Sequence, residues 1–546
     1  MRDFDFSPVP VGDILDQAVR RFGPRPAMDF FGQRTSYAQL GRLVERAAAG
    51  LQGLGVRRGV NVGLCLPNCP YFVVMYYAIL KAGGTVVNFN PLYTAHEIQA
   101  QVRDAQVQII VSLDLAMIHD KIAPLVETGV LRQVIVCPMA AALPWRKGIL
   151  FRLFKANDIA IMKPGAKYFR FEQLIAGTQM LAPVVIDPGR DIAVLQFTGG
   201  TTGTPKAAML THANVGVNVA QVRAVIPPVT LGAERFLAVL PFFHVFAMTA
   251  IMNLGLDIGA ELILLPRAEI KPLMATIRRT RPTLLPGVPT LFTAISNAAE
   301  VAKRFDLSSI KFCISGGAPI SAEVMDRFER ISHSIIIEGY GLSETSPVVT
   351  FNVPGAVKRG SVGPAVPGTV IEIRDRTDPT VLLAQGERGE ICVRGPQVMR
   401  GYYQKPADTR ATFVDGSLRT GDIGYLDEDG YLFIVDRIKD LILCGGYNVY
   451  PRVIEEAAYQ HPAVQDAIAI GVPDKYRGQA PKLYVSLRPG QSATEAEILK
   501  FLATILNKIE MPKVLVIRAS LPKTMVGKLS KKELVAEEAA HQQPDV

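Results

Sequence analysis

Short apolar runs alternate with amphipathic stretches through most of the first 350 residues. The helical spacing of Ile14, Leu15 and Ala18 predicts a helix near the start, followed by a polar hairpin around Gly32 and a second helix from about Tyr37. Farther along, the pattern predicts strands at 60–66, 85–89 and 108–112, with helices at 71–82 and 97–105. This rhythm resumes after residue 198 and is typical of an α/β fold, so we expect a large amino-terminal lobe of parallel-type α/β subdomains.

Two uncharged stretches, 60–80 and 236–256, are each long enough to cross a membrane. Prolines interrupt both, at Pro67 and Pro70 in the first and at Pro241 in the second. Turns and further strand-like segments flank them. We therefore predict that both stretches are buried elements of the α/β lobe rather than membrane spans.

The hydrophobic pattern changes after about residue 355. Short strands and recurring turns, such as those at 385–389 and 427–430, predict an antiparallel β subdomain at about 355–436. A charged connector at 436–440 follows it. We therefore divide the chain into an amino-terminal lobe at 1–436, a hinge at 437–440 and a small, mobile carboxyl-terminal domain at 441–546.

The last hundred residues predict an α+β domain. A strand is expected at 483–487 and a helix at 493–506. The polar tail from about Glu537 is expected to fray.

The length of 546 residues predicts more than one domain. The net charge of +9 suits anionic partners such as nucleotides, coenzyme A or a membrane surface, although a solvated basic surface is the alternative. The sequence contains no dense basic run with interleaved aromatic residues, which is the pattern that would indicate nucleic-acid binding. Six scattered cysteines fit a reducing compartment, and the acidic residues Asp3 and Asp5 disfavour a signal peptide. We therefore expect a cytoplasmic protein.

Basic and bulky apolar residues alternate in one segment, 143–171, which also holds the only tryptophan, Trp145. The order Trp-Arg-Lys-Gly-Ile-Leu-Phe-Arg-Leu-Phe-Lys suits a segment that lies on an anionic lipid surface. The alternative is a surface helix that packs its apolar side on the domain. Peripheral contact with the inner face of the cell membrane is therefore one hypothesis for this segment.

A glycine- and threonine-rich loop at 198–206, Thr-Gly-Gly-Thr-Thr-Gly-Thr-Pro-Lys, follows an apolar run at 192–197 that predicts a buried strand. Glycine lets successive N–H groups point at one anion, and the hydroxyls and Lys206 add donors and positive charge. A Walker A loop is excluded because Pro205, not glycine, precedes Lys206, and Ala207 follows it. The loop therefore predicts a polyphosphate ligand.

Five further motifs carry candidate chemistry. They are His244 among aromatic residues at 241–246, Ser-Gly-Gly-Ala-Pro at 315–319, Glu-Gly-Tyr-Gly-Leu-Ser-Glu-Thr at 338–345, Arg-Thr-Gly-Asp at 419–422 and Pro-Lys-Thr-Met-Val-Gly-Lys at 522–528. The bare backbone at 315–319 and the aromatic ring of Tyr340 suit a flat ring. The hydroxyl and carboxylate of Ser343 and Glu344 can hold a hard cation. A carboxylate at a turn, Asp422, suits paired sugar hydroxyls. Taken singly, each motif is weak evidence, because such residues are more often core or surface residues.

In this order and at these intervals, the motifs resemble the adenylate-forming superfamily of acyl-CoA synthetases, adenylation domains and luciferases. The resemblance covers about residues 10–535 and is greatest to bacterial long-chain fatty acid–CoA ligases. The most similar stretches are 197–210, 338–347, 395–402 and 434–451.

The resemblance implies a nucleotide site. The phosphate loop would consist of Thr198, Gly199, Gly200, Thr201, Thr202, Gly203, Thr204 and Lys206. The adenine and its surroundings would be held by Gly317, Ala318, Pro319, Tyr340, Gly341 and Ser343, and the ribose hydroxyls by Asp422 with Arg437. Thr198 and Glu344 would bind Mg²⁺.

The resemblance also implies residues that act in the two reaction steps. Lys528 would bridge the substrate carboxylate and the α-phosphate, and His244 would lie between the acyl site and the thiol route. Lys439 matches the hinge position, about which the small domain would turn. Gly445 and Gly446 would then line the passage for the pantetheine arm of coenzyme A.

The implied activity is the ATP- and Mg²⁺-dependent activation of a fatty acid as acyl-AMP, with pyrophosphate release, and transfer of the acyl group to coenzyme A. A long-chain acid is the expected substrate, and a medium-chain or dicarboxylic acid is the alternative. A carrier protein is the alternative acyl acceptor to coenzyme A. A homodimer is a further possibility. A kinase or NTPase would instead release ADP or phosphate. The joint presence of Lys206, Glu344, Asp422 and Lys528 argues against an inactive lipid-binding scaffold.

Overall fold

Two mainly parallel sheets covered by helices make up most of the protein. The structure, a computed structural model, describes residues 6–162, 165, 167–198, 205–302, 306–444, 447–474, 476–524 and 527–541. These described residues also contain an antiparallel sheet and, near the carboxyl terminus, a further mixed sheet. The α/β fold class with an added antiparallel part, which the hydrophobic pattern predicts, is confirmed.

The first parallel sheet lies in the amino-terminal part of the chain. In chain order the elements are α1 (Val11–Phe22), β1 (Pro26–Phe30), β2 (Gln33–Ser36), α2 (Tyr37–Gly53), β3 (Asn61–Cys65), α3 (Pro70–Lys81), β4 (Thr85–Asn88), α4 (Ala95–Asp104), β5 (Ile109–Leu113), α5 (Ala116–Glu127), β6 (Gln133–Cys137), α6 (Met139–Ala142), α7 (Trp145–Phe154), β7 (Tyr168–Arg170), α8 (Phe171–Ala176), β8 (Ile192–Thr198), β9 (Lys206–Thr211) and α9 (His212–Val225). The described strands are ordered β7-β6-β5-β3-β4-β8-β9, and only β8 and β9 pair antiparallel. Strands β3, β4 and β5 are buried throughout, as expected for a sheet covered on both faces.

The second parallel sheet follows in the chain and recruits β1 and β2 at its edge. Its remaining elements are β10 (Arg235–Ala238), α10 (Val245–Ala247), α11 (Leu254–Asp257), β11 (Glu261–Leu264), α12 (Ile270–Thr280), β12 (Leu284–Gly287), α13 (Pro289–Ala302), β13 (Phe312–Gly316), α14 (Ala322–Ser332), β14 (Ile335–Gly341) and β15 (Val348–Phe351). The described strands are ordered β15-β14-β13-β12-β10-β11-β1-β2, with antiparallel pairs at both ends. The glycine motifs at 315–319 and 338–345 therefore leave neighbouring parallel strands at one edge of the sheet.

The two uncharged stretches lie inside this lobe, as predicted. Helix α3 has ten consecutive buried residues, and a π-helix, Met248–Asn253, is also fully buried. Within the core Tyr77 donates a hydrogen bond to Asn253 Oδ1 at 2.8 Å, and Asn253 Nδ2 donates to Tyr76 at 3.1 Å. Among the residues described, no helix is both long and apolar enough to span a membrane. The π-helix itself was not predicted by the sequence pattern.

The antiparallel sheet follows the second parallel sheet. Its elements are β16 (Val370–Arg374), β17 (Gly389–Arg394), α15 (Pro406–Thr412), β18 (Phe413–Val414), β19 (Ser417–Leu426) and β20 (Leu432–Arg437). All of their described pairings are antiparallel, as the short strands and turns predict. The part of the chain described up to β20 is called the large lobe below.

The remaining elements form what is called the small lobe, with a separate hydrophobic core. They are β21 (Ile442–Cys444), β22 (Tyr447–Val449), α16 (Pro451–Tyr459), β23 (Val464–Asp474), β24 (Gly478–Leu487), α17 (Glu495–Leu502), β25 (Val514–Arg518) and α18 (Lys531–His541). A 3₁₀ turn, Ile438–Asp440, joins β20 to β21. The connector predicted at 436–440 thus lies between the lobes, whereas the exact domain bounds stay a prediction.

Two expectations about the small lobe were wrong. The helix predicted at 493–506 spans only Glu495–Leu502, because a capping box at Thr494 starts it and irregular turns follow Ala503. The tail expected to fray from Glu537 is helical to His541. Glu538 stabilises it by accepting a hydrogen bond from Lys482 Nζ at 2.7 Å.

Candidate active site

Lys528, from the small lobe, lies against the end of β13 in the large lobe. A Cβ atom placed on Gly317 would come within 2.7 Å of Lys528 Nζ, and Gly317 has a positive φ of +80°. Only glycine therefore allows the lysine this close without a shift. The Lys528 turn is also fastened to the large lobe by Thr290, whose Oγ1 donates to the carbonyl oxygen of Gly527 at 2.7 Å. The structure thus brings the motif at 522–528 to the motif at 315–319.

The electrostatic surroundings of Lys528 and His244 are linked. Burial lowers the pKa of Lys528 to about 8, and the positive charge of Arg437 acts in the same direction. Burial, followed by the charge of Lys528, lowers the pKa of His244 to about 3. His244 Nδ1 accepts a hydrogen bond from the Phe246 backbone N–H at 3.3 Å, which assigns the ring proton to Nε2. His244 is therefore a neutral side chain at physiological pH.

Asp422 is a buried carboxylate with a partner on each oxygen. Tyr340 donates its hydroxyl to Asp422 Oδ2 at 2.7 Å, and Arg437 Nε lies 3.2 Å from Asp422 Oδ1. Asp422 and Arg437 face each other across the antiparallel β19–β20 ladder, which explains their proximity. Each carboxylate oxygen can accept further hydrogen bonds. The carboxylate is thus held in one orientation and can still accept from a pair of hydroxyl groups.

Glu344 lies in a 3₁₀ turn, Ser343–Thr345, that is separated from β14 by Leu342. Its backbone carbonyl accepts from the Met399 N–H at 2.7 Å, and its carboxylate oxygen Oε1 accepts from the Tyr402 hydroxyl at 2.8 Å. Burial raises the pKa of the Glu344 carboxyl group. A cation beside this carboxylate would offset the cost of burying its charge.

The Glu344 site fits a magnesium ion that is also held by substrate phosphates. Proteins usually bind Mg²⁺ through one or two carboxylates plus phosphate oxygens, not through an all-protein cage. Glu344 supplies one carboxylate, and Thr198 ends β8 opposite Lys206 in the β8–β9 ladder. These two residues are therefore the candidates to hold the ion, which remains a prediction.

Lys206 begins β9 and is paired with a carboxylate. Its ammonium group forms a salt bridge with Asp408 of α15 and lies 5.3 Å from the centroid of the Tyr402 ring. The preceding residues of the predicted phosphate loop, Gly199, Gly200, Thr201, Thr202, Gly203 and Thr204, lie outside the described residues. Gly445 and Gly446 also lie outside them.

The other predicted site residues lie at the same edge of the second parallel sheet or in the connector between the lobes. Gly341 ends β14, and a Cβ atom there would lie 1.8 Å from the carbonyl oxygen of Pro347, so a larger residue does not fit. Ser343 begins the turn that holds Glu344, and Ala318 and Pro319 directly follow Gly317. Lys439 is the middle residue of the 3₁₀ turn between the lobes.

Sequence reasoning missed three residues that organise this site. Tyr402 lies in the recognised stretch at 395–402, but no role was assigned to it. No sequence motif marks Asp408 or Thr290, because each acts through a contact with a residue that is distant in the chain. Asp408 contacts Lys206, and Thr290 contacts Gly527. A search for polar residues on the elements that pack beside the motifs would have found them only after the fold was available.

Two family models match this chain. A family model described as AMP-binding enzyme matches residues 15–403, and one described as AMP-binding enzyme C-terminal domain matches residues 453–528. The chain therefore belongs to the AMP-binding enzyme family.

Among curated relatives, the chain is similar to enzymes named for fatty acid activation. It is 42% identical to a long-chain-fatty-acid–CoA ligase of Bacillus subtilis (strain 168), covering 96% of this chain and 94% of the relative. It is 38% identical to a long-chain-fatty-acid–CoA ligase of Escherichia coli O157:H7, covering 96% and 93%. A solved structure of the anthranilate CoA ligase AuaEII in complex with anthranoyl-AMP matches with a TM-score of 0.85 at 25% identity, covering 98% of both chains.

Proposed function

We propose that this protein is an ATP-dependent fatty acid–CoA ligase that forms acyl-AMP and pyrophosphate and then transfers the acyl group to coenzyme A. The observation that carries the proposal is the insertion of Lys528 from the small lobe beside Gly317 of the large lobe, close to the Arg437–Asp422 pair. The relatives named as long-chain-fatty-acid–CoA ligases and the adenylate-bound relative support it. The proposed substrate is a long-chain fatty acid.

ATP would bind along the sheet edge. The loop at 198–206 would receive the β- and γ-phosphates, and the adenine would lie between the Gly317 backbone and the Tyr340 ring. Asp422, held by Tyr340 and Arg437, would accept hydrogen bonds from the ribose hydroxyls. Glu344 and Thr198 would hold Mg²⁺, which supplies positive charge at the phosphates when it is bound.

The first step is the attack of the fatty acid carboxylate on the α-phosphorus of ATP. An oxygen–phosphorus bond forms to the carboxylate, and the bond to pyrophosphate breaks. Negative charge accumulates at the α-phosphate, so catalysis depends mainly on positioning and electrostatic stabilisation. The Lys528 ammonium group would bridge the carboxylate and the α-phosphate and stabilise that charge.

The second step needs the thiol of coenzyme A to reach the acyl carbonyl. We propose that the small lobe turns about Lys439, which withdraws Lys528 and brings Gly445 and Gly446 to the thiol passage. His244, neutral in its present surroundings, would lie between the acyl site and this passage. AMP is the leaving group, so the products are acyl-CoA and AMP.

A panel of carboxylic acids tests the reaction and the chain length. Saturated acids from C2 to C18, together with α,ω-diacids, are supplied with ATP, Mg²⁺ and coenzyme A. Each buried CH₂ group contributes about 0.8 kcal/mol, so we expect kcat/KM to rise steeply toward the long-chain acids. AMP and pyrophosphate should be the nucleotide products. A maximum at medium chains or diacids would favour those alternatives. Adenylation without acyl-CoA formation would exclude the coenzyme A ligase, and release of ADP would exclude adenylation.

The pH dependence of the adenylation step should report Lys528. Because its pKa is lowered to about 8, the free enzyme loses this positive charge as the pH rises through 8. The value of kcat/KM for ATP, measured as pyrophosphate release without coenzyme A, should fall about tenfold per pH unit above 8 and be level below it. In Lys528→Arg the charge persists, so any residual activity should lack this decrease. Equal rates at pH 7 and pH 9.5 in the wild-type enzyme would contradict the assignment.

We further propose that α7 contacts an anionic membrane surface. Five of its large apolar side chains are between 51% and 79% exposed: Trp145, Ile149, Leu150, Leu153 and Phe154. The helix packs on the protein through Gly148, where a Cβ atom would lie 2.5 Å from the carbonyl oxygen of Ala140. The apolar side of α7 therefore faces outward, unlike that of an ordinary surface helix.

Basic residues accompany this apolar surface. Arg146 lies 5.0 Å from the Trp145 ring centroid, and Lys147 donates a hydrogen bond to the carbonyl oxygen of Phe31 at 2.8 Å. Arg152 and Lys155 are also exposed. Apolar side chains that enter the acyl boundary, combined with lysine and arginine at the headgroups, suit a peripheral contact with anionic lipid. Homodimerisation stays a prediction for which no surface is proposed.

Reversing two charges on α7 should weaken membrane binding. We expect Arg146→Glu with Arg152→Glu to reduce cosedimentation with vesicles containing anionic lipid by about tenfold or more, since each basic residue near such a surface contributes about 1 kcal/mol. Lys147 is left in place because it also contacts Phe31. Lys500→Glu with Lys508→Glu, on exposed residues of the small lobe, is the matched control. If the α7 variant binds the vesicles as well as the wild-type protein does, α7 is a surface helix without a role in membrane binding.

A further inference from the structure

We propose that Tyr402 is a positioning residue that fixes the Glu344 carboxylate and the Lys206 ammonium group relative to each other for the binding of ATP with Mg²⁺. The inference extends the proposed function, because it depends on Glu344 facing the metal and Lys206 facing the phosphates. Tyr402 itself touches neither nucleotide nor metal in this scheme.

One side chain contacts both groups. The Tyr402 hydroxyl donates to Glu344 Oε1 at 2.8 Å, and its aromatic face lies 5.3 Å from Lys206 Nζ. The ring is buried, with 9% of its surface exposed. The hydroxyl therefore orients the carboxylate, while the ring face stabilises the ammonium group through a cation–π contact. Their relative placement depends on one rigid aromatic ring with two rotatable bonds.

The backbone around Tyr402 holds that ring in place. The chain at 399–403 runs beside β9: the Met209 N–H donates to the carbonyl oxygen of Gly401 at 2.8 Å, and the Tyr403 N–H donates to that of Ala207 at 2.8 Å. Tyr402 and Ala208 form an antiparallel bridge. Because β9 begins at Lys206, this segment fixes the distance between the lysine and Tyr402.

Two further contacts tie the same segment to the other parts of the phosphate site. The Met399 N–H donates to the carbonyl oxygen of Glu344 at 2.7 Å, so the segment also holds the turn that carries the carboxylate. The Tyr402 backbone N–H donates a hydrogen bond to Thr409 Oγ1 of α15 at 2.9 Å. Helix α15 carries Asp408, the salt-bridge partner of Lys206. The strand, the turn and the helix that surround the phosphate site therefore meet at Tyr402.

The hydrogen bond to Glu344 should matter most when the metal binds. A carboxylate whose orientation is already set loses less freedom on binding a cation. Loss of such an outer hydrogen-bond partner of a metal ligand typically costs about 10- to 100-fold in metal affinity or activity. The ring face instead acts on Lys206, whose charge attracts ATP whether or not the metal is present. Tyr402 thus has two separable effects, one metal-dependent and one metal-independent.

The experiment separates these effects by measuring ATP affinity calorimetrically, with Mg²⁺ and with EDTA. Tyr402→Phe keeps the ring and removes the hydroxyl, so it should weaken the affinity for ATP with Mg²⁺ about tenfold and leave the affinity in EDTA unchanged. Tyr402→Leu also removes the aromatic face, so it should weaken ATP binding in both conditions. Tyr403→Phe is the matched control, because that neighbouring hydroxyl contacts Gln106 at 3.1 Å, away from Glu344 and Lys206.

A double-mutant cycle makes the outcome decisive. If Tyr402 acts through Glu344, Tyr402→Phe should have no further effect on the Mg²⁺-dependent affinity in a Glu344→Gln background. Equal weakening of Tyr402→Phe with and without Mg²⁺, no weakening, or full additivity in the cycle would overturn the proposal. These binding measurements need no turnover: a wild-type enzyme that binds ATP but forms no acyl-AMP would refute the proposed function and still test Tyr402.

Discussion

Lys528→Ala should lose adenylation and retain thioester formation. A charge pair at about 4 Å contributes roughly 4 kcal/mol at an effective dielectric constant near 20, on the order of a thousandfold in rate when it acts only in the transition state. We therefore expect pyrophosphate release from ATP and fatty acid to fall by about that factor. Conversion of supplied acyl-AMP and coenzyme A to acyl-CoA should stay close to the wild-type rate, because Lys528 would be withdrawn in that step.

The control for Lys528→Ala is another lysine of the same segment. Lys523 forms a salt bridge with Asp466 inside the small lobe at 2.9 Å and does not face Gly317. Lys523→Ala should therefore leave adenylation within a few-fold of wild type. Full overall activity in Lys528→Ala would remove this residue from the mechanism, and equal loss of both half-reactions would indicate damage to the small lobe rather than loss of one charge.

Lys439→Pro should have the opposite effect on the two half-reactions. Proline fixes φ near −65°, a value that suits a 3₁₀ turn such as Ile438–Asp440, so the orientation with Lys528 in the cleft should persist. The rotation proposed for the second step requires a backbone change at this position, which the ring prevents. We expect pyrophosphate release to be nearly unchanged and acyl transfer from supplied acyl-AMP to coenzyme A to fall by about a hundredfold or more.

Lys439→Ala separates the backbone from the side chain. It removes the amine but leaves φ free, so both half-reactions should proceed near the wild-type rates. If the alanine variant is as defective in acyl transfer as the proline variant, the amine and not the torsion is required. If proline slows both steps equally, the hinge is not at Lys439.

Most of the fold could be predicted because local pattern and tertiary environment agree. Strands β3, β4 and β5 are mostly apolar and are buried throughout, and the helix from Tyr37 begins where Ser36 forms a capping box. The failures lie where a distant partner decides. The carboxyl-terminal helix continues past Glu537 because Lys482 of β24 pairs with Glu538, and a polar sequence does not reveal that partner.

The candidate site shows the same division. Gly317 and Gly341 could be found from the sequence because they lie in glycine-rich motifs. The structure gives the reason for these glycines: close contacts with Lys528 and with the Pro347 carbonyl exclude larger residues there. Tyr402 and Asp408 carry ordinary side chains in ordinary contexts. Their importance follows from the meeting of β9, α15 and the Glu344 turn, which is a property of the assembled fold.

Arg437 lies at the end of β20, one residue before the turn between the lobes, and pairs with Asp422. The preceding residue, Asp436, accepts hydrogen bonds from the Arg437 N–H at 2.8 Å and from the Arg452 N–H of the small lobe at 2.9 Å. Because Asp422 is proposed to hold the ribose, a change in the angle between the lobes that alters the hold of Arg437 on Asp422 should change nucleotide affinity. By thermodynamic reciprocity, the nucleotide would then bias that angle by the same coupling free energy, so ATP and AMP would act as effectors of lobe orientation as well as reactant and product.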